Sequence, residues 1–137
     1  MRATVLLVDD DESFAEAIEI ALQSIEEITV VVLANGIEAI KFLAQHTASL
    51  AALITDLHMP FMDGFELIDK IRTHDSYRSL PIIVVTGDSN PETPSRLKGL
   101  EITAYFQKPC SPLQIRRKIQ VILSGVLDQE SSGGGYR

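Results

Sequence analysis

Five strand-length apolar runs, each followed by a stretch with helical spacing, constrain this chain more than any other feature. The runs are Thr4–Val8, Ile28–Ala34, Leu50–Thr55, Pro81–Thr86 and Thr103–Gln107. They are nearly continuous and rich in Val and Ile, which suits strands buried on both faces of a parallel sheet. Between them lie apolar stripes at helical spacing. Phe14, Ile18, Ala21, Leu22 and Ile25 form the first, where Ser13 and Glu16 have the S-x-x-E form of a capping box. Ile37, Ile40, Leu43 and Ala44 form the second, after the turn-like Ala34-Asn35-Gly36. Gly64, Leu67, Ile68 and Ile71 form the third. Ile115, Ile119, Ile122 and Val126 form the fifth, with Arg116, Arg117 and Lys118 largely on its other faces. The fourth, roughly Pro91–Leu100, is the shortest, with Pro91 and Pro94 suited to opening a helix and Gly99 weakening it. Strand and helix alternate five times, which predicts an α/β fold with a doubly wound parallel sheet and helices on both faces.

The 137 residues fit one domain, expected over 1–126, with a flexible tail or linker stub over 127–137 that ends in Ser131-Ser132-Gly133-Gly134-Gly135-Tyr136-Arg137. No apolar run approaches the ~18 residues needed to span a bilayer. Met1-Arg2-Ala3 leads straight into the first apolar run, and Cys110 is the single cysteine, so a cytoplasmic protein without disulfides is expected. A net charge of −7 argues against direct nucleic-acid binding, which depends on neutralising phosphates with Lys and Arg.

In open α/β sheets, sites form beyond the carboxyl ends of the strands. Here the first strand ends in Asp9-Asp10-Asp11, the third in Asp56, the fourth in Thr86-Gly87 and the fifth in Lys108-Pro109. At least three carboxylates thus converge at one edge. Two unit charges ~4 Å apart interact by about 4 kcal/mol at an effective dielectric of 20, so either some protonate or a cation joins them, and at neutral pH a hard divalent ion is the simpler solution. All-oxygen ligation suits Mg2+. Zn2+ is excluded because Cys110 stands alone and the three histidines lack ligand spacing. A carboxylate beside Mg2+, with a hydroxyl and an ammonium nearby, is an arrangement for phosphoryl transfer. Asp56 is then the nucleophile, Lys108 neutralises charge, Thr86 donates a hydrogen bond, and Gly87 leaves room for the phosphoryl group. No nucleotide-binding G-x-x-x-x-G-K-[ST] loop is present, so the donor is expected to be a phosphoprotein or a small phosphodonor.

VLLVDD at Val5–Asp10, ITDLHMPFMDG at Ile54–Gly64, VVTGD at Val84–Asp88 and YFQKP at Tyr105–Pro109 resemble the receiver domains of two-component response regulators. The resemblance spans roughly Thr4 to Leu123. It implies a flavodoxin-like fold with five helices and strand order 2-1-3-4-5. Asp56 is implied to accept the phosphoryl group. Asp10 is implied to bind Mg2+ directly, Asp9 directly or through water, and His58 through its backbone carbonyl, beside Asp56 itself. Thr86 and Lys108 are implied to contact the phosphoryl group, Lys108-Pro109 to be a cis peptide, and Tyr105 to be an aromatic switch that moves inward with Thr86. Pro60 and Gly64 shape the loop after the third strand. The implied partners are a sensor histidine kinase or phosphotransfer protein, and a downstream protein or output domain at the face of the fourth helix, fifth strand and fifth helix. The implied chemistry is limited to the domain's own phosphorylation and dephosphorylation.

Three departures stand out. A third acid, Asp11, is expected to cap or start the first helix. His58 and Asp88 occupy positions that tune phosphoryl lifetime in this family. Glu101-Ile102 replaces a common Gly-Ala, which bears on the shape of the fourth helix. Blander roles remain beside these: helix caps for Asp9 and Asp10, packing for Tyr105, surface positions for His46 and His74, and a small filler for Cys110. Phe61 and Met62 form either an exposed apolar spot or a local packing unit. Three other functions compete. A phosphohydrolase resembling haloacid dehalogenases needs a second acid where His58 stands. A scaffold would keep the shape without phosphorylation. The chain could also be the receiver portion of a longer regulator.

Overall fold

The computed structural model describes residues 2–45 and 49–132; His46 and residues 133–137 of the expected tail lie outside them. Five parallel strands, β1 (Ala3–Val8), β2 (Ile28–Leu33), β3 (Leu50–Thr55), β4 (Ile82–Thr86) and β5 (Ala104–Gln107), form one sheet in the order β2-β1-β3-β4-β5. Five helices connect and follow them: α1 (Glu12–Leu22), α2 (Gly36–Gln45), α3 (Gly64–Arg72), α4 (Thr93–Lys98) and α5 (Pro112–Ser132). The expected doubly wound α/β sandwich is therefore the fold. α5 continues to Ser132, through the first residues of the stretch expected as a tail.

The period of two along each strand divides the core into two layers. Val5 and Leu7 of β1 face one layer with Ala15, Ile18 and Leu22 of α1 and Ile115, Ile119 and Ile122 of α5. Leu6 and Val8 face the other, with Ala39 and Leu43 of α2, Leu67, Ile68 and Ile71 of α3, and Leu97 of α4. Each Val, Leu or Ile among these, when fully buried, contributes about 1.5–3 kcal/mol from leaving water. All five residues of β4 are buried, which is why its sequence reads as an unbroken apolar run. Among the described residues no helix is long and apolar enough to cross a membrane.

At the start of α1, Asp11 takes the capping role expected of it, and the Ser13–Glu16 pattern does not. Asp11, not Ser13, caps α1: its backbone is extended (φ −86°, ψ 98°) and its side chain accepts from the Phe14 amide at 3.2 Å. Ser13 already lies inside the first turn, so the Ser13–Glu16 capping box does not form. An acid at that position both satisfies an amide and meets the positive end of the helix dipole. Asp63 caps α3 in the same way, accepting from the Glu66 amide at 2.8 Å.

α4 has only six residues, with Pro94 in its first turn and Gly99 after its last. The turn beyond it places Glu101 at φ 56°, a left-handed conformation that glycine would adopt freely. Arg72 holds this turn in place. Its guanidinium donates to the carbonyls of Leu100 at 2.9 Å, Glu101 at 3.0 Å and Arg78 at 3.1 Å.

Candidate functional site

The sheet brings Asp9 and Asp56 together before any side chain acts. Asp9 follows β1 and its amide donates to the Leu33 carbonyl at 3.1 Å. Asp56 follows β3 and its amide donates to the Val8 carbonyl at 3.1 Å. Both residues are buried, Asp9 to 4% and Asp56 to 8% exposure, while Asp10 is open to solvent. Carboxylate oxygens of the three lie within 4.8 Å of one another.

Lys108, after β5, reaches into this cluster. Its Nζ donates to Asp9 Oδ2 at 3.1 Å and to Asp56 Oδ2 at 3.1 Å. The remaining oxygens of the two acids accept backbone amides, Asp9 from Asp11 at 2.9 Å and Asp56 from Leu57 at 2.6 Å. Phe14 lies under the ammonium, 4.3 Å from ring centre to Nζ, a favourable placement of a cation on an aromatic face. The Lys108-Pro109 peptide is cis, as the resemblance implied.

Burial pushes the Asp9 carboxyl above its ordinary range, against the Asp11 amide and the Lys108 ammonium, which pull it down; the Asp56 charge adds to the rise. For Lys108 burial works against the charged form. Hydrogen bonds and charges from Asp9 and Asp56 outweigh it, and the net direction is upward. Three carboxylates face one ammonium, so the cleft keeps an excess of negative charge, and Asp10 makes no hydrogen bond among the described residues. This donor set of clustered, partly unpaired carboxylate oxygens fits a hard divalent cation.

Thr86 is fully buried at the end of β4. Its hydroxyl accepts the Asp88 amide at 3.2 Å, and among the described residues no hydrogen bond joins it to Asp56. Tyr105 is half-buried and packs on the α2–α4 side of the core, paired across the ladder with Val84. The fold thus gathers Asp9, Asp10, Asp56 and Lys108, while Thr86 and Tyr105 make no hydrogen bond to that group among the described residues.

The imidazole of His58 turns to Asp88, with Nε2 2.8 Å from Oδ2, and not to the acid cluster. No hydrogen bond occupies the His58 carbonyl among the described residues. The Asp88 carboxyl is held below its ordinary range, chiefly by the Asn90 amide and then by His58.

Two glycines bear on the site in opposite ways. A Cβ on Gly64 would strike the Asp56 carbonyl oxygen and stand 2.8 Å from Leu57 Cα, so this glycine lets α3 begin against the end of β3. A Cβ on Gly87 would meet nothing within 4 Å, so packing does not require that glycine. Phe61 and Met62 divide the two readings given to them. Phe61 is 84% exposed at φ 73°, while Met62 is buried and covers Gly36. Cys110 packs at the edge of the α1–α5 layer, and His74 caps a short 3-10 turn, accepting from the Ser76 amide at 3.1 Å.

Sequence reasoning missed Phe14 under Lys108, the Leu57 amide on Asp56, and Thr93 bound to Asp88. Phe14 carried a signal only as part of the α1 stripe. The Leu57 amide is placed by backbone geometry at the next residue, and the Thr93–Asp88 bond closes a loop of only five positions, set by how that loop folds and not by any sequence pattern.

Comparison with known proteins agrees with this geometry. The model of the response regulator receiver domain family matches residues 5–120. The transcriptional regulatory protein GltR of Pseudomonas aeruginosa is 35% identical over 133 residues, covering 96% of this chain and 53% of GltR, so the chain spans about half the length of that relative. A chemotaxis protein CheY homolog of Campylobacter jejuni is 32% identical over 120 residues, covering 87% of this chain and 91% of the homolog. The structure of the chemotaxis response regulator CheY4 of Vibrio cholerae superposes with a TM-score of 0.76 at 31% identity, covering 89% of this chain and 99% of CheY4. With a matching family model over most of its length, the motifs at four strand ends and the same sheet order, the chain belongs to the response regulator receiver domain family.

Proposed function

We propose that this domain accepts a phosphoryl group on Asp56 in a Mg2+-dependent reaction and converts it into a change at a protein-binding face. The observation that carries the reading is the placement of Lys108 Nζ at 3.1 Å from both Asp9 and Asp56, inside a cluster of three carboxylates. A carboxylate oxygen of Asp56 forms the new O–P bond as the donor's bond to phosphorus breaks, and the electron pair leaves with the donor group. Asp9, Asp10, Asp56 and the backbone carbonyl of His58 would hold Mg2+, which when bound neutralises charge on the transferring oxygens. Lys108 takes one phosphoryl oxygen while keeping its bond to Asp9. The Thr86 hydroxyl turns toward another, and the open space at Gly87 admits the group.

The donor is a sensor histidine kinase or phosphotransfer protein, and small phosphodonors substitute for it. Tyr105 follows Thr86 inward and alters the face built by α4, β5 and α5. The chemistry is confined to the domain's own phosphorylation and dephosphorylation. Because the chain spans about half of GltR, a second reading makes this domain the input module of a longer regulator.

The test is mass spectrometry after incubation with acetyl phosphate and Mg2+. One phosphoryl mass is expected on the wild type and none on Asp56→Asn. Absence of the adduct with both acetyl phosphate and a histidine-phosphorylated donor overturns the reading.

A further inference from the structure

Asp88 is the hub of a hydrogen-bond set that the proposed transfer does not use. Its Oδ2 accepts from His58 Nε2 at 2.8 Å and from the Thr93 hydroxyl at 3.0 Å. Its Oδ1 accepts the Asn90 amide at 2.6 Å, and its own amide donates to the Thr86 hydroxyl at 3.2 Å. One residue therefore joins the loop after β3, the end of β4 and the first turn of α4.

The consequence lies in how α4 is held. Six residues are too few to form a helix on their own, because nucleation costs more than so few bonds return. Glu92 precedes α4 without any side-chain cap bond, so the helix lacks the usual support at its start. Thr93, its first residue, is 2% exposed, and its buried hydroxyl has Asp88 as partner. At the far end, Arg72 grips the carbonyls of Leu100 and Glu101. α4 is thus tied at its end to α3 and at its start to Asp88. The first tie does not touch the proposed phosphorylation site. The second does, because the same Asp88 binds Thr86 through its amide.

We propose that Asp88 is a positioning residue that carries a displacement of Thr86 to the first turn of α4 through its bond to Thr93, with His58 holding the carboxylate in place. When the Thr86 hydroxyl turns to a phosphoryl oxygen, the Asp88 amide loses its acceptor and the 88–93 loop shifts to find another. Thr93 follows because its hydroxyl has no alternative partner among the described residues. This route to α4 is separate from the one through Tyr105, which lies on β5. It rests on the reading of Asp56 as phosphoacceptor.

The test uses the full chain, with beryllofluoride and Mg2+ as the probe for the phosphoryl group. Amide hydrogen exchange is followed over residues 93–98, and the Tyr105 ring by NMR. The wild type is expected to change exchange in α4 by about threefold or more on adding the probe. Thr93→Val removes the hydroxyl at nearly constant shape. It should lose that response while retaining the Tyr105 response and accepting phosphoryl from acetyl phosphate within about twofold of the wild-type rate. Thr93→Ser restores the α4 response. Asp88→Ala, a change in a loop outside the core, is the second variant and is expected to lose the α4 response as well. An α4 response that survives in Thr93→Val or in Asp88→Ala overturns the inference. So does a wild type whose Asp56 is modified while α4 stays unchanged. Failure to modify Asp56 in the wild type removes the underlying reading and the inference together, and is read separately by mass.

Discussion

The Lys108 ammonium lies 3.1 Å from Oδ2 of Asp56, in a cleft where its side chain keeps 18% exposure. It is the one positive charge in contact with the buried acids among the described residues. Removing one partner of a buried pair typically costs about 3–5 kcal/mol, and the open side of this cleft lowers the expectation for Lys108→Met to about 1–3 kcal/mol. Urea unfolding without Mg2+ measures it, and millimolar Mg2+ should recover part of the loss. Asp9 and Asp56 hold the ammonium above the ordinary lysine range. Its contribution is therefore fully present below that range and is lost only as pH rises through the elevated value. An unchanged urea midpoint in Lys108→Met contradicts the pairing.

Asp10 is exposed and makes no hydrogen bond among the described residues, so in the absence of a cation it contributes repulsion and little else. At a solvent-facing position that repulsion is worth about 1 kcal/mol at ~4 Å. Asp10→Asn should raise the melting temperature without Mg2+ and shrink the rise that Mg2+ produces. In the wild type an ion at 100 times its Kd adds about 2.7 kcal/mol. Ligation needs the Asp9 carboxylate, and burial has pushed that group upward. Protons therefore compete from a higher pH than for an ordinary Asp, and the Mg2+-induced shift fades early on acidification. A Mg2+ shift of equal size in Asp10→Asn removes that residue from the proposed ligand set.

Gly64 and Gly87 separate space required by packing from space held open at the cleft. In Gly64→Ala the new methyl meets backbone, 2.8 Å from Leu57 Cα, which cannot yield as a side chain can. Overpacking of this kind costs about 1–3 kcal/mol, and it displaces the proposed phosphoacceptor as well. In Gly87→Ala the methyl meets nothing within 4 Å, so stability should stay within about 0.5 kcal/mol of the wild type. Phosphorylation by acetyl phosphate should nonetheless slow by about tenfold or more, since small misplacements at a reacting centre are costly. Equal rates in Gly87→Ala and wild type contradict the idea that a phosphoryl group occupies that space.

The strands and the acids beyond them were legible because both signals are local. Val and Ile runs report burial on two faces, and a carboxylate that follows such a run can only lie at the sheet's edge. The S-x-x-E at Ser13 was misleading for an equally local reason: it satisfies the capping pattern, but Asp11 stands two residues earlier and takes the Phe14 amide first. The place and shortness of α4 were legible from its prolines and Gly99, but its anchoring was not. It depends on Arg72 reaching Leu100 and on Asp88 meeting His58 across 30 positions, and neither contact leaves a pattern in the chain. Tyr105 shows the same limit from another side. Its motif placed it correctly on β5, but its half-buried packing against the α2–α4 layer follows from the fold.

Phe61 combines two costs that a folded domain ordinarily avoids: an aromatic ring 84% exposed to water and a backbone at φ 73°. A non-glycine residue held there stores about 1–2 kcal/mol, and the ring contributes no burial to offset it. Strain of this kind persists where the surroundings impose it and concentrates at functional sites. Here it stands five positions beyond Asp56, in the loop that follows the proposed phosphoacceptor. Phe61→Gly should leave stability equal or raise it by up to about 1 kcal/mol, since glycine adopts this backbone without strain. Transfer from acetyl phosphate should be unaffected, because that donor needs no apolar contact. Transfer from a histidine-phosphorylated protein should slow, because the ring is an exposed anchor of the kind that dominates binding energy. Equal slowing with both donors would mean that the ring acts on the local geometry of Asp56, and no slowing with either would exclude it from docking.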